Sequence, residues 1–414
     1  MKITLIAGAR PNFMKVAPII KAIKAHNGLV DERISGLGER ISFRLVHTGQ
    51  HYDKNMSDTF FEELGIPAPD VNLGCGGGSQ AEQTAAIMVA FEKELMEHPA
   101  DIVLVVGDVT STMACSIVAK KLNTKVCHVE AGIRSWDLTM PEEINRMVTD
   151  SLADYMFTTS EVANRNLVRQ GAELVTDCGL QVTGERILPE DKYANQRIQQ
   201  RVWHVGNVMI DTLLANRARF RKPEVWDELG LKDKEFIVMT MHRPANVDEE
   251  NHLWEMMEQI VDNVHGLPVI FPIHPRTAKM LRELINERPQ ANSMSATESL
   301  NDERFPNLHI VEPMGYLEFN YLVERAKAVV TDSGGITEET TVMGVPCITL
   351  RDNTERPETC TVGTNELIGT DPKAIKPALD KLFAGEWKKG AIPELWDGHA
   401  AERIVKILSA LEIS

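Results

Sequence analysis

Short apolar runs alternate with amphipathic helical stretches from one end of this 414-residue chain to the other. In the first half the runs are Lys2–Ala7, Phe43–His47, Ile102–Val106, Lys125–Val129 and Tyr155–Thr158; in the second they are Phe236–Met241, Pro268–Ile273, Leu308–Val311, Ala328–Thr331 and Pro346–Leu350. Most are apolar throughout rather than at every second position. That pattern suits parallel strands covered by helices on both faces. It predicts an α/β chain that is doubly wound, twice over. A chain of this length exceeds what one core usually holds, so two domains are expected, residues 1–200 and 201–397, with Val202–Val205 at the seam. Residues 398–414 have helical apolar spacing at Ile404, Ile407, Leu408 and Leu411. Asn164–Arg201 reads as an irregular excursion, and Gly28–Ser42 as an insertion between the first two strands.

Composition narrows the partners. With 44 Lys and Arg against 60 Asp and Glu, the formal charge is −16, which argues against a nucleic-acid or anionic-membrane partner while leaving room for a local basic pocket. No apolar run approaches the roughly 20 residues that span a bilayer. Met1-Lys2 leads straight into a strand-like run, so no signal peptide is expected and a cytoplasmic location is. The six cysteines form no C-x-x-C pair, no metal site is expected, and most sit in apolar stretches as reduced core residues.

The junction Ala328–Thr340, AVVTDSGGITEET, carries the clearest chemistry. An apolar strand ends at Asp332-Ser333-Gly334-Gly335, and a helix is predicted to begin near Ile336. The first N–H groups of a helix lack internal partners, and glycines let a diphosphate approach them closely. Glu338 and Glu339, read in the first turn, suit the helix dipole, and one of them also suits a ribose hydroxyl. A helix capped by Asp332 or Ser333 explains the same residues equally well.

Other polar clusters also follow strand runs, where open α/β sheets bind ligands. Gly8–Lys15 lacks a G-x-G-x-x-G fingerprint and instead carries Arg10 and Lys15, two cations suited to a phosphorylated ligand. His47–Asp53 is dense in hydrogen-bonding groups, and Gly74–Ser79 reads as turn chemistry. Asp108, after the third run, serves either as a base or beside a helix capped through Thr110 or Ser111. Glu130, after the fourth, is hard to justify as core packing because burying an unpaired carboxylate is costly. In Pro141–Arg146, Pro141 sits at a first helical position, and Glu142 and Arg146 are spaced either as an i,i+4 ion pair or for a catalytic role of Glu142. His242-Arg243 and His274-Pro275-Arg276 follow two later strands and, with the Ser333 turn, suggest a convergent site. The carboxylates fall mainly in the first half and the phosphate-suited groups in the second. A cleft between the domains, holding a nucleotide conjugate beside acid/base carboxylates, is the expectation.

In this order the motifs resemble the non-hydrolysing UDP-N-acetylglucosamine 2-epimerases. The matching segments are GARPNFMKVAP (Gly8–Pro18), HTGQHYD (His47–Asp53), GDVTST (Gly107–Thr112), HVEAGIRS (His128–Ser135) and PEEINR (Pro141–Arg146). VGNVMID (Val205–Asp211), HRPANVD (His242–Asp248), DSGGITEE (Asp332–Glu339) and LRDNTERPET (Leu350–Thr359) continue them across nearly the whole chain. The resemblance implies a glycosyltransferase-B type pair of Rossmann-like domains, a C-terminal helix crossing back to the first, and a homodimer. It implies interconversion of UDP-GlcNAc and UDP-ManNAc with no cofactor and no metal, by anti elimination of UDP to 2-acetamidoglucal and re-addition. Asp108, Glu130 and Glu142 are then the acid/base candidates, and His242 stabilises the departing diphosphate. Arg10, Lys15, His274, Ser333, Gly334, Gly335 and Arg356 bind UDP, and Glu339 takes ribose hydroxyls. Gln50 and His51 correspond to an allosteric UDP-GlcNAc site of some members. Pro244-Ala245, where many members carry a charged pair, departs from the pattern. Relatives of the family act on UDP-2,3-diacetamido uronic acids or hydrolyse UDP-GlcNAc. A retaining glycosyltransferase or a non-catalytic nucleotide-sugar sensor are the readings outside the epimerases.

Overall fold

The computed structural model describes residues 1–31, 39–49, 64–175, 200–247, 250–273, 277–278, 281 and 305–411. They form two compact units, residues 1–215 with 394–414 and residues 216–393. Each is a wholly parallel sheet with helices between its strands, an α/β fold.

The first sheet is built from β1 (Lys2–Ala7), β2 (Ser42–His47), β3 (Val71–Asn72), β4 (Ile102–Val106), β5 (Lys125–Val129), β6 (Tyr155–Thr158), β7 (Glu173–Leu174) and β8 (Arg201–His204). Their order is β3-β2-β1-β4-β5-β6-β8-β7. β4, IVLVV, is buried at every position, as a central strand covered on both faces must be. Its alternate side chains feed two apolar clusters, Ile102, Leu104 and Val106 on one face and Val103 and Val105 on the other.

The second sheet contains β9 (Ile237–Thr240), β10 (Val269–Pro272), β11 (Leu308–Val311), β12 (Ala328–Thr331), β13 (Cys347–Thr349) and β14 (Asn365–Leu367), ordered β11-β10-β9-β12-β13-β14. The winding reverses between β1 and β4 in the first sheet, whose far edge also has β8 inserted between β6 and β7, and between β9 and β12 in the second. At such a switch point successive crossovers depart to opposite sides, and the carboxyl ends of the two strands frame a crevice.

The boundaries depart from the expected ones. Residues 201–215 belong to the first unit because β8 pairs with β6, from Tyr155 opposite Arg201 to Thr158 opposite His204. The chain returns to that unit at residue 394 rather than 398, and the Trp396 indole N–H donates to the Thr159 carbonyl at 2.9 Å. Asp211 then accepts from Ala400 N and Ala401 N (3.1 and 2.6 Å) at the start of the Ala400–Ser409 helix. That helix buries Ile404, Val405, Ile407 and Leu408 in the core of the first unit. The supposed excursion at 164–201 opens instead with the Glu161–Arg169 helix and β7, and residues 176–199 lie outside the description. Likewise the Arg10–Asp31 helix runs through Gly28 to Asp31, and 32–38 are not described. The Gly74–Ser79 loop is a turn: Ser79 opens the Gln80–Glu97 helix with a reciprocal capping box to Glu82.

Candidate functional site

At the first switch point the turn after β1 is stitched to the end of β4. Gly8 N and Ala9 N donate to Asn12 Oδ1 (3.1 and 2.9 Å), and Asn12 Nδ2 donates to the Val106 carbonyl at 3.0 Å. This fixes the start of the Arg10–Asp31 helix, so that Lys15 Nζ reaches Glu130 Oε2 at 2.5 Å with both side chains buried. Gly107 lies between them in a left-handed conformation (φ 66°). A Cβ there would stand 3.0 Å from Lys15 Nζ and 3.7 Å from Glu130 Oε2, so the backbone shape and the close approach both call for glycine.

Glu130 itself has φ 70°, a conformation that costs a non-glycine residue about 1–2 kcal/mol. The backbone holds it there: Glu130 N and Ala131 N both donate to the Phe157 carbonyl (3.0 and 3.1 Å). Strain of this sort gathers where a side chain must be aimed.

Asp108 follows Gly107. Its Oδ2 accepts from Arg146 Nε and Nη2 (3.1 and 2.5 Å), while Asn145 Nδ2 donates to its carbonyl at 2.9 Å. Arg146 is fixed in turn by Glu143 at 2.8 Å, and Glu143 accepts from Ser135 N, Ser135 Oγ and Trp136 N. Asp108 keeps a quarter of its side chain exposed, against 2% for Glu130. Beneath the turn His128 and Asp150 pair at 2.6 Å, both wholly buried, with Arg134 Nη1 2.7 Å from the other Asp150 oxygen. Burial alone would raise the Asp150 carboxyl. The His128 and Arg134 contacts outweigh it and leave the group below its ordinary value.

The second switch point is organised by Asp332, which is fully buried after β12. It accepts from His242 N (2.9 Å), Arg243 N (2.8 Å) and Asn246 Nδ2 (3.1 Å), and its other oxygen lies 2.8 Å from His242 Nδ1. The register of β9 with β12, Thr240 opposite Thr331, makes this reach short. Burial pushes the Asp332 carboxyl up, but the hydrogen bonds from His242 and Arg243 hold it below the usual carboxylate range. The His242 side chain is 43% exposed above this anchor.

The Gly334–Met343 helix begins at Ser333 with no side-chain cap hydrogen bond. A Cβ on Gly335 would meet nothing within 4 Å, and one on Gly334 would lie 3.6 Å from Arg351 Nη1. That nitrogen is buried and has no hydrogen-bond partner among the described residues, although Arg351 Nη2 binds Glu355 at 2.5 Å. Uncapped N–H groups beside a buried guanidinium nitrogen are equipped to receive an anion.

Several expectations are corrected by this geometry. Glu338 and Glu339 lie past the first turn, because the helix starts at Gly334 rather than near Ile336. Both are buried: Glu338 accepts from Arg356 Nε at 2.5 Å, and Glu339 accepts from the Tyr316 hydroxyl at 2.8 Å. Burial pushes the Glu339 carboxyl up to about 7, with Tyr316 opposing the shift. Arg146 turns to Glu143, three residues away, and to Asp108 rather than to Glu142; Glu142 is exposed and takes no part in that network. Neither Thr110 nor Ser111 caps the Thr110–Lys121 helix; Ser111 instead bonds Thr48 at 2.6 Å. Arg10 opens its helix, but its side chain lies outside the description, as do Gln50, His51 and His274. The structure thus brings together Lys15, Asp108 and Glu130 at one switch point. At the other it gathers His242 with the Ser333–Gly335 turn. It adds Glu143, Asp150 and Arg351, which no periodicity singles out, and it gives Arg146 and Asp332 partners other than the ones their spacing suggested.

Comparison with known proteins gives concordant matches over nearly the whole chain. A family model described as UDP-N-acetylglucosamine 2-epimerase matches residues 37–409. The UDP-N-acetylglucosamine 2-epimerase of Methanocaldococcus jannaschii is 36% identical over 417 residues, covering 99% of each chain. A UDP-2,3-diacetamido-2,3-dideoxy-D-glucuronate 2-epimerase of Pseudomonas aeruginosa is 35% identical, covering 99% of this chain and all of its own length. The structure of the M. jannaschii enzyme in complex with UDP-GlcNAc and UDP superposes with a TM-score of 0.77 at 36% identity and 99% coverage of both chains.

Proposed function

The chain belongs to the UDP-N-acetylglucosamine 2-epimerase family, and from that premise we propose that it interconverts UDP-GlcNAc and UDP-ManNAc without net hydrolysis. The observation that carries the reading is the pair of carboxylates at adjacent strand ends, Asp108 and Glu130, each held by its own cation, Arg146 and Lys15. Inversion at C2 requires one group to remove the proton from one face and another to return it to the opposite face. Two separately pinned carboxylates are suited to that division. In the forward step the C2–H electrons form the C1=C2 bond of 2-acetamidoglucal as the C1–O bond breaks and UDP departs with its electron pair. Return of UDP to C1 and of a proton to the other face of C2 gives the epimer.

Asp108, the more exposed carboxylate, is the group open to the sugar; Glu130 and the exposed Glu142 complete the acid/base set. Arg10 and Lys15 supply positive charge toward the diphosphate. In the second unit, the Ser333-Gly334-Gly335 turn and Arg356 receive the diphosphate, with His242, oriented by Asp332, stabilising it as it departs. Glu339 takes the ribose hydroxyls, and His274 joins the UDP-binding set.

Proton NMR with UDP-GlcNAc in D₂O, without added NAD or metal, tests the proposal. Formation of UDP-ManNAc with deuterium at C2 in both sugars is expected; accumulation of free ManNAc and UDP marks a hydrolysing enzyme instead. The identity to the P. aeruginosa enzyme favours one second reading, a UDP-2,3-diacetamido uronic acid as substrate. Turnover of that sugar, with UDP-GlcNAc left unchanged, would select it.

A further inference from the structure

The loop from Glu130 to Trp136 begins and ends on left-handed residues that are not glycine, with φ 70° at Glu130 and 61° at Trp136. Only surroundings that over-determine it hold a bulky residue in that conformation. Here the surroundings are one face of the Pro141–Leu152 helix, on which Glu143, Asn145, Arg146, Thr149 and Asp150 are buried. That polar face takes hold of two strand ends. Asp150 accepts from Gly132 N at 3.0 Å and lies 2.7 Å from Arg134 Nη1, both on the loop that follows β5. Arg146 and Asn145 hold Asp108, after β4, by its carboxyl and its carbonyl.

Glu143 joins the two sides in one carboxyl, with no exposure to solvent. Its Oε1 accepts from Trp136 N at 3.2 Å. Its Oε2 accepts from Ser135 N (2.9 Å), Ser135 Oγ (3.0 Å) and Arg146 Nη1 (2.8 Å). The group that grips the far end of the Glu130 loop therefore also grips the guanidinium whose Nε and Nη2 reach Asp108 Oδ2. A first-turn acid that only complements the helix dipole needs neither burial nor partners beyond its own turn.

We propose that Glu143 is a positioning residue that sets Asp108 in register with the Glu130 loop, through Arg146 on one side and the N–H groups of Ser135 and Trp136 on the other. Wholly buried, it acts through these neighbours and not by contact with substrate. Two carboxylates that address opposite faces of one carbon must keep a fixed relation to each other, and a small misplacement of either is costly. A single carboxyl tied to both strand ends supplies that relation.

The kinetic part of this inference rests on the proposed epimerase reading; the hold on Arg146 does not. Glu143→Gln keeps the side chain's length but puts an amide NH₂ where one oxygen now accepts, so either Trp136 N or the Ser135 and Arg146 side loses its acceptor. Its kcat for UDP-GlcNAc should fall about 10-fold with KM within about twofold, as for misplacement of an acid/base group. Coupling to Asp108 is the readout that a merely structural role would not give. Glu143→Gln combined with Asp108→Asn should lose little more than Asp108→Asn by itself, because the group being positioned is gone, whereas independent damage multiplies. Without substrate, spectra of the ¹⁵N-arginine-labelled full chain should show an Arg146 Nε–H, identified by its loss in Arg146→Lys, that exchanges slowly with water. In Glu143→Gln that exchange should be about 10-fold faster or more. If Glu143→Gln does not fold, Glu143→Asp, whose reach is one methylene shorter, replaces it with the same expectations. Losses that multiply, wild-type kcat in a folded variant or an unchanged Arg146 exchange rate each overturn the proposal. Absence of UDP-GlcNAc turnover in the wild type would count against the function alone, because the exchange rate is read without substrate and still decides for Glu143.

Discussion

The two switch points solve opposite problems with the same topology. In the first unit the chemistry-bearing side chains are partnered with one another: Lys15 with Glu130, Arg146 with Asp108 and Glu143, His128 and Arg134 with Asp150. In the second, one buried carboxylate, Asp332, holds the His242-Arg243 turn, while the start of the Gly334–Met343 helix carries no side-chain cap. A site that moves protons needs carboxylates of fixed orientation in a fixed field, and that demands internal counter-ions. A site that receives a diphosphate needs donors whose acceptor arrives with the ligand. Internal satisfaction in one place and withheld satisfaction in the other follow from those two demands.

The sharpest way to break this contrast is to remove charge from the first site. Asp108→Asn keeps the side chain's shape but removes one of the carboxylates that hold Arg146. Turnover should fall by about 10²-fold or more, the range for loss of a general acid or base, with UDP affinity changed little. Steady-state kinetics beside calorimetric titration of UDP check the split. Near-normal turnover would remove Asp108 from the catalytic set; a matching loss of UDP affinity would erase the distinction between the two sites.

The second largest effect belongs to Glu339, the buried acid whose carboxyl is raised to about 7 from an ordinary 4.5. A group with a raised folded value supports the fold fully below its unfolded value and loses that support as pH climbs to the folded one. Stability of the second unit should therefore drop by about 3 kcal/mol between pH 4.5 and about 7. Glu339→Gln preserves an acceptor for the Tyr316 hydroxyl and should lack this component. Thermal melts of both proteins across that window test it; parallel slopes would mean that Glu339 does not titrate there.

Strand ends were legible from sequence because uniform apolar runs mark covered parallel strands: β4, β5, β6, β11 and β12 fall on the expected residues. β3, β7 and β14 went unread, being two or three residues long with polar members, Val71-Asn72, Glu173-Leu174 and Asn365-Glu366-Leu367. They are strands by virtue of their neighbours, not of their own composition. The same limit holds in the sites. Asp108 and Glu130 stood out as acids after apolar runs, but which base meets which acid depends on strand order. Helical spacing alone offered Arg146 an i,i+4 partner in Glu142, whereas adjacency of β4 and β5 gave it Asp108 and turned it toward Glu143. Asp332 read as a helix cap until β9 was seen beside β12, with the N–H groups of His242 and Arg243 in reach.

Glycine substitution sharpens the contrast at smaller scale. Gly335 has open space where a Cβ would go and is helical, so Gly335→Ala should keep or slightly raise stability, by up to about 1 kcal/mol. The added methyl would stand in the approach to the helix N-terminus, and UDP binding should weaken about tenfold, or 1.4 kcal/mol. In the first unit Gly107→Ala should do the reverse, losing stability to its left-handed backbone and to the 3.0 Å approach of Lys15. Equal behaviour of the two variants in melting and UDP titration would deny the difference between a packed turn and an open one.

The smallest effect expected is at Ser333, and it separates the cap from the ligand site. A serine that caps a helix contributes about 1 kcal/mol, which is lost on replacement by alanine. Ser333 occupies the N-cap position, yet its side chain makes no cap hydrogen bond, and its N–H donates to Thr331 Oγ1 at 3.0 Å through the backbone, which alanine retains. Ser333→Ala should therefore melt within about 0.5 kcal/mol of the parent, as a substitution that removes no internal contact does. If its hydroxyl is held for the diphosphate, UDP affinity should fall about threefold to tenfold, the worth of one hydrogen bond. Melting without UDP and titration with it resolve the two roles in one variant. A stability loss near 1 kcal/mol with unaltered UDP binding would return Ser333 to a capping role, leaving anion capture to Gly334, Gly335 and Arg351 Nη1, which has no hydrogen-bond partner among the described residues.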